Sequence, residues 1–142
     1  MKKIENFIVP ENEVGFDEWG KYAPFFTFLE MKCKHTGACH MDREFMDVLL
    51  TIRKEYDKPM KITSGYRHTT HPAEAGKGSL GEHSLGRAVD VACDGLGASE
   101  LVTLALRHGI TRIGISQRLG QPRYIHLGMG GHGLPEPRIW SY

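Results

Sequence analysis

The spacing of apolar residues predicts an amphipathic helix over residues 42–57. Its apolar positions recur every three or four residues, and they are Phe45, Val48, Leu49, Ile52 and Tyr56. Asp42 is suited to cap the first turn, and Pro59 would stop the helix. A second helix is predicted over residues 99–108, with Gly109 as the left-handed residue that ends it.

Further elements follow from shorter patterns. Thr27 and Glu30 form a capping-box pattern that predicts a short helix, which Gly37 would end. Short apolar stretches predict four strands, at residues 60–63, 88–93, 110–115 and 123–129. Because the strands and helices fall in separate runs, we expect an α+β fold with a small, mostly antiparallel sheet and flanking helices.

The remaining segments set the expected domain organisation. Residues 68–87 contain glycines and histidines but few apolar residues, and a long loop inside a small domain is usually functional. Residues 1–24 are predicted to be an irregular N-terminal lead-in, and residues 25–142 a single domain.

Composition excludes several classes of protein. Lys and Arg total 18 against 17 for Asp and Glu, a net charge of +1 that argues against a nucleic-acid partner. No stretch approaches the ~18 consecutive apolar residues of a membrane span. The N-terminus lacks the apolar core of a secretory signal, and three cysteines are an odd count, so we expect a protein synthesised in a reducing cytoplasm. We also expect it to be a monomer.

The eight histidines call for an explanation, and two strands suggest one. Asp90 and His126 are polar residues inside apolar strands, where burial is costly unless a charge or a metal compensates. If these strands are neighbours, both side chains could converge with His83 on one point. Two imidazoles and one carboxylate are a donor set used by catalytic zinc. Ordinary core histidines are the alternative, and the residues alone leave both interpretations open.

Three segments carry a family resemblance: residues 62–67 (ITSGYR), 83–90 (HSLGRAVD) and 124–127 (YIHL). Together they resemble the M15 family of zinc peptidases, which includes D-alanyl-D-alanine carboxypeptidases and phage endolysins that cut L-alanyl-D-glutamate bonds. Residues 26–31 with Cys33, and the ending 140–142, are similar to its short phage and bacterial branch. The resemblance covers residues 25–142 and implies the fold shared by these peptidases and the hedgehog signalling domain.

The resemblance also implies an activity and a set of site residues. One Zn²⁺ would be bound by His83, Asp90 and His126, and Arg67 would stabilise an oxyanion or hold a substrate carboxylate. The implied reaction is hydrolysis of a D-Ala-D-Ala or L-Ala-D-Glu bond in a peptidoglycan stem peptide. A phage endolysin or another wall-degrading protein would act on the cell wall after release from the cytoplasm.

The chain departs from the family pattern at two positions. The best-known members have an acidic residue three positions before the last histidine ligand, where this chain has Arg123, and arginine cannot accept a proton. Glu82 and His132 are the candidates for the missing base. Members often have Asp two residues after that ligand, where Gly128 stands here, so a partner for the ligand is expected to be missing. The alternative function is a non-catalytic, zinc-bearing binding module.

A second cluster of possible metal ligands lies outside these motifs. Cys33, His35, Cys39 and His40 occur within eight residues. They could form a structural zinc site, but their spacing is tighter than the usual pair of separated knuckles. A turn with free thiols is the preferred interpretation.

Overall fold

The computed structural model of the protein describes residues 18–78 and 80–142. Its helices are α1 (Phe28–Met31), α2 (Arg43–Tyr56) and α3 (Gly95–Arg107), with 3₁₀ helices at Glu18–Lys21 and Glu82–Leu85. Its strands are β1 (Lys61–Ser64), β2 (Ala88–Ala92), β3 (Arg112–Ser116), β4 (Tyr124–Gly128) and β5 (Arg138–Ser141). Residues 1–17 of the predicted lead-in lie outside the described residues, and the boundary at residue 24 stays a prediction.

The five strands form one sheet in the order β1-β2-β4-β3-β5. The pairs β1–β2, β2–β4 and β3–β4 are antiparallel, and only β3–β5 is parallel. The predicted α+β fold with a mostly antiparallel sheet is therefore confirmed. None of the helices in the described residues is long and apolar enough to cross a membrane.

The alternation of β2 and β4 separates the core from the site. Val89 and Val91 on β2, and Ile125 and Leu127 on β4, belong to the buried core that also includes the apolar side of α2. Because successive strand residues point to opposite faces, Asp90 and the central residue of β4 lie on the other face of the sheet. Asp90 and His126 thus lie on the face of the sheet opposite the core.

Helix α2 begins after its predicted cap, but α1 ends at Met31 and not at Gly37, and α3 begins earlier than predicted. Asp42 caps α2 by accepting a hydrogen bond from the Phe45 N–H at 3.0 Å, and the capping box of α1 is present, although that helix has only one turn. Helix α3 begins at Gly95, four residues before the predicted start. The first turn of α3 contains two glycines, which disfavour a helix. This turn packs against α2, where the hydroxyl of Tyr56 donates to the carbonyl of Gly97 at 3.0 Å.

Strand β5 is an element that the sequence pattern did not predict. Arg138, Ile139 and Ser141 are exposed, so the segment lacks the apolar alternation that marks a half-buried strand. It pairs with β3 at the edge of the sheet, opposite Gly114 and its neighbours. A Cβ at Gly114 would lie 2.7 Å from the ring of Trp140, so the glycine leaves room for this ring. Strand β5 thereby brings Trp140 to the site.

Candidate metal centre

Three buried side chains converge where β2 and β4 pair. Asp90 lies directly opposite His126 in the register, and His83 approaches from the 3₁₀ helix Glu82–Leu85. Asp90 Oδ1 is 3.4 Å from His83 Nε2 and 3.1 Å from His126 Nδ1. The donor atoms of the three residues all lie within 4.8 Å of one another, the one group of this kind among the described residues. The structure thus brings together the three residues that the sequence singled out.

The turn that carries His83 fixes the orientation of its ring. Nδ1 is 2.7 Å from the carbonyl oxygen of Gly65 and donates to it, which leaves Nε2 as the ring nitrogen that faces Asp90. Gly86 ends the turn with φ of 70°, and a Cβ there would overlap the carbonyl oxygen of His40. Only glycine meets both requirements, which accounts for its place in the His83-to-Asp90 motif.

The separations of the donor atoms suit a tetrahedral metal ion. Zinc ligands at about 2.0–2.1 Å in tetrahedral geometry stand about 3.3 Å apart, close to the 3.1 Å and 3.4 Å found around Asp90 Oδ1. Two imidazoles and one carboxylate also leave a fourth position for water or substrate. The residues present therefore fit a catalytic zinc site.

A cleft of about 520 Å³ opens beside these three residues. Its walls include the side chains of Arg67, Glu74, Lys77, Tyr124, Trp140 and Tyr142. The ring of Trp140 is 5.0 Å from that of His126, and the rings of Tyr124 and Tyr142 are 5.3 Å apart. The candidate metal site is thus accessible from a cleft with one aromatic wall.

Charge within the site holds Asp90 ionised. Burial alone would raise the pKa of Asp90, but hydrogen bonds with His126 and His83 outweigh it and hold that pKa well below the usual range. Burial would lower the pKa of His126, but hydrogen bonds with Asp90 and Glu82 raise it above its ordinary value. Without metal, His126 therefore keeps its additional proton up to a higher pH than an ordinary imidazole, and a metal ion has to displace that proton.

This proton predicts how metal affinity depends on pH. Because metal binding needs neutral His126, the affinity for Zn²⁺ should fall by about tenfold for each pH unit below the raised pKa of that residue. Asp90 stays ionised throughout, since its pKa is lowered. Chelator competition between about pH 5.5 and 8.5 measures the slope. A dissociation constant that does not change over this range would contradict the prediction.

Arg67 lies between two carboxylates at the cleft. Its Nη2 is 3.5 Å from Asp90 Oδ2, its Nη1 is 3.3 Å from Glu74 Oε2, and its Nε donates to Ser64 Oγ at 3.0 Å. The backbone N–H of Arg67 donates to the carbonyl of His83 at 3.1 Å, which ties the two segments together. With 23% of its side chain exposed, the guanidinium faces the cleft as a permanent positive charge.

The other two catalytic candidates from the sequence occupy different environments. Glu82 is at the centre of the site, with Oε1 at 2.7 Å from His126 Nε2. His132 is exposed in the turn after β4, with φ of 48°, and is not among the residues that line the cleft. Arg123 also lies outside the cleft, where its Nη2 pairs with Asp94 Oδ2 at 2.8 Å.

The expectation that His126 lacks a partner because of Gly128 is wrong. The carboxylate of Glu82 reaches the ring from another element, and a Cβ at Gly128 would overlap that carboxylate. Burial would raise the pKa of Glu82, but its bonds with His126, Arg112 and the Gly130 N–H lower it overall, so the group stays ionised. The absence of a side chain at Gly128 leaves the space in which Glu82 contacts His126.

Sequence reasoning did not assign a role to Glu74 or Arg112. Glu74 is almost fully buried in the loop before His83, with Arg67 and Lys77 each 3.3 Å from Oε2. Arg112 Nε is 2.9 Å from Glu82 Oε1, and its guanidinium stacks on Trp140 at 5.1 Å. Glu74 lies in a loop of mixed composition and Arg112 follows Thr111, so neither interrupts an apolar stretch as Asp90 does, and these two became visible only in the structure.

The second cysteine and histidine cluster forms a tight turn. The backbone of Cys33 accepts from the Gly37 N–H and donates to the Ala38 carbonyl, each at 2.7 Å. Cys33 and Cys39 are buried free thiols, and burial raises the pKa of Cys39 to about 12. Among the described residues these side chains do not form a group close enough to hold a metal, which favours the turn with free thiols.

Comparison with protein families gives one match. Residues 24–128 match the family model described as Peptidase M15. The matched range contains the three candidate ligands and Arg67, while β5 with Trp140 lies beyond it. No curated protein matches the chain.

Proposed function

The chain belongs to the peptidase M15 family, as the motifs indicated, and on this premise we propose that it is a zinc-dependent peptidase acting on the stem peptides of bacterial peptidoglycan. The observation that carries the proposal is the buried group of His83, Asp90 and His126 at the edge of an open cleft. We propose these three as the ligands of one zinc ion. The protein would be an endolysin or another wall-degrading enzyme, and it would work as a monomer.

The residues around the group suit amide hydrolysis. A zinc ion held there would polarise the scissile carbonyl and lower the pKa of a water molecule to about 7. Arg67 presents its guanidinium to the same point, where it would stabilise the negative charge that develops on the carbonyl oxygen or hold a substrate carboxylate. Trp140 and Tyr142 would support the peptide along one side of the cleft.

A positively charged pocket next to the cleft supports an acidic peptide as substrate. This second cavity has a volume of about 150 Å³, and its lining includes Lys32, Lys34, His71 and Arg67. Arg67 lines both cavities, so they adjoin at this side chain. Stem peptides carry free carboxylates, which such a pocket would attract. The scissile bond would be D-Ala-D-Ala or L-Ala-D-Glu.

Hydrolysis also requires a group that accepts a proton from water. The sequence offers Glu82 and His132 for this role, and the structure adds Glu74, whose carboxylate lines the cleft beside Arg67. Arg123 stands outside the cleft at the position where related peptidases have an acid. That feature favours the second candidate function, a zinc-bearing binding module without turnover.

Mass spectrometry of peptidoglycan fragments incubated with the protein tests the proposal. We expect a new fragment that disappears when a chelator is added and returns with Zn²⁺. Loss of a terminal D-alanine would identify a carboxypeptidase, and a new amino terminus on D-glutamate would identify an endopeptidase. A protein that holds one zinc ion per chain but cleaves no stem peptide would instead support the binding module.

A further inference from the structure

The carboxylate of Glu82 contacts the edge of the His126 ring that faces away from Asp90. Glu82 Oε1 is 2.7 Å from His126 Nε2, while Nδ1 of the same ring is 3.1 Å from Asp90 Oδ1. An imidazole that binds a metal through one nitrogen carries its proton on the other. The Nδ1 nitrogen of His126 therefore faces the metal site, and its Nε2 nitrogen faces the carboxylate of Glu82.

We propose that Glu82 is the positioning residue for His126: it accepts the Nε2–H and thereby keeps the Nδ1 lone pair directed at the metal site. This inference rests on the proposed zinc site and deepens it. It assigns Glu82 an effect on metal binding, not on proton transfer. Glu74 and His132 then remain as candidates for the proton acceptor.

The surroundings of Glu82 suit an anchor. Its Oε2 accepts the Gly130 N–H at 2.8 Å, and its Oε1 is also 2.9 Å from Arg112 Nε. The side chain is only 3% exposed. Both oxygens are thus engaged by fixed groups, and the carboxylate has little freedom to turn toward a water molecule in the cleft.

Gly128 makes this arrangement possible. It follows His126 by two residues on β4, so a side chain at this position would point to the same face of the sheet as His126. A Cβ at this position would overlap the Glu82 carboxylate, whose Cδ and oxygens fill that space. A carboxylate can therefore reach His126 from residue 82 or from residue 128, but the two cannot occupy the space together.

This exclusion gives a test by relocation of the carboxylate. The variants are Glu82→Ala, Glu82→Gln, Gly128→Asp, and the double variant Glu82→Ala with Gly128→Asp. Chelator competition measures the Zn²⁺ dissociation constant of each, and the visible spectrum of the Co²⁺-loaded protein reports the ligand geometry. Glu44→Ala serves as the matched control, because Glu44 is an exposed carboxylate whose contact with Arg87 lies outside the cleft.

We expect Glu82→Ala to weaken Zn²⁺ binding by about 10- to 100-fold, the usual effect of losing a partner of a metal-bound histidine. Glu82→Gln should recover most of the affinity, because its amide oxygen still accepts the Nε2–H. Gly128→Asp alone should weaken binding through the overlap, and the double variant should bind more tightly than Glu82→Ala. Glu44→Ala should match the wild type.

Three results would overturn the inference. The first is a Glu82→Ala variant that binds Zn²⁺ with wild-type affinity. The second is that Glu82→Gln and the double variant both bind Zn²⁺ as weakly as Glu82→Ala does. The third is a Co²⁺ spectrum that is identical in the wild type and Glu82→Ala. Because the readout is metal affinity, a wild type that binds zinc but cleaves no peptide would refute the proposed peptidase and leave this inference standing.

Discussion

Replacing His83 with alanine should abolish both stoichiometric zinc binding and stem-peptide hydrolysis. The variant removes one of three donor atoms that lie within 4.8 Å of one another, leaving a two-ligand site. Lewis-acid stabilisation by a metal amounts to several kcal/mol, so we expect the rate to fall on the order of 10³- to 10⁴-fold. Elemental analysis of the purified protein and release of peptide fragments measure the two effects.

The matched control is His35→Ala, because His35 is exposed and lies outside the cleft. His83 is buried and hydrogen-bonded to the Gly65 carbonyl, so thermal unfolding of both variants in excess chelator shows whether the metal-free fold survives. A folded His83→Ala protein that keeps more than about a tenth of the activity would refute its assignment as a ligand.

Replacing Arg67 with alanine should lower kcat about 10²- to 10³-fold while zinc stays bound. Loss of one oxyanion-stabilising donor has an effect of this size in other hydrolases. Zinc affinity should not decrease, because the variant removes a positive charge 3.5 Å from Asp90 Oδ2. Arg67→Lys should recover part of the rate, since lysine supplies the charge but not the planar pair of donors.

Arg123→Ala is the control for this second prediction. Arg123 pairs with Asp94 away from the cleft, so its loss should change kcat less than twofold. Steady-state kinetics on a stem peptide, together with chelator competition, separate the rate effect from metal loss. If Arg67→Ala lost zinc in parallel with activity, Arg67 would be a structural support of the site.

The main feature of the site could be predicted from the sequence because it breaks a local pattern. Asp90 and His126 are polar residues at positions whose strand neighbours are apolar, and both therefore face away from the core. Their expected adjacency is confirmed by the register, which places them directly opposite each other. The sequence showed no such break at Glu82, which lies in a loop of mixed composition.

The rest of the site depends on which elements approach one another. Glu82 reaches His126 across 44 positions of sequence, and Gly128 could only be recognised as space for that carboxylate once both were in place. Strand β5 is similar: its residues are mostly exposed, and the pairing with β3 gives it a strand conformation. Spacing along a chain does not show such tertiary contacts.

The order in which the three donors can assemble during folding follows from the pairing of β2 with β4. His83 and Asp90 are seven residues apart, so they can meet through a short loop, whereas His126 is 36 positions from Asp90. Closing the longer loop has a greater entropic cost, and His126 is also the last of the three residues to be synthesised. A metal ion that meets the unfolded chain therefore finds a weak two-donor fragment, and tight binding arises only when β4 docks on β2. Metal retention would consequently report on the docking of β4 during refolding.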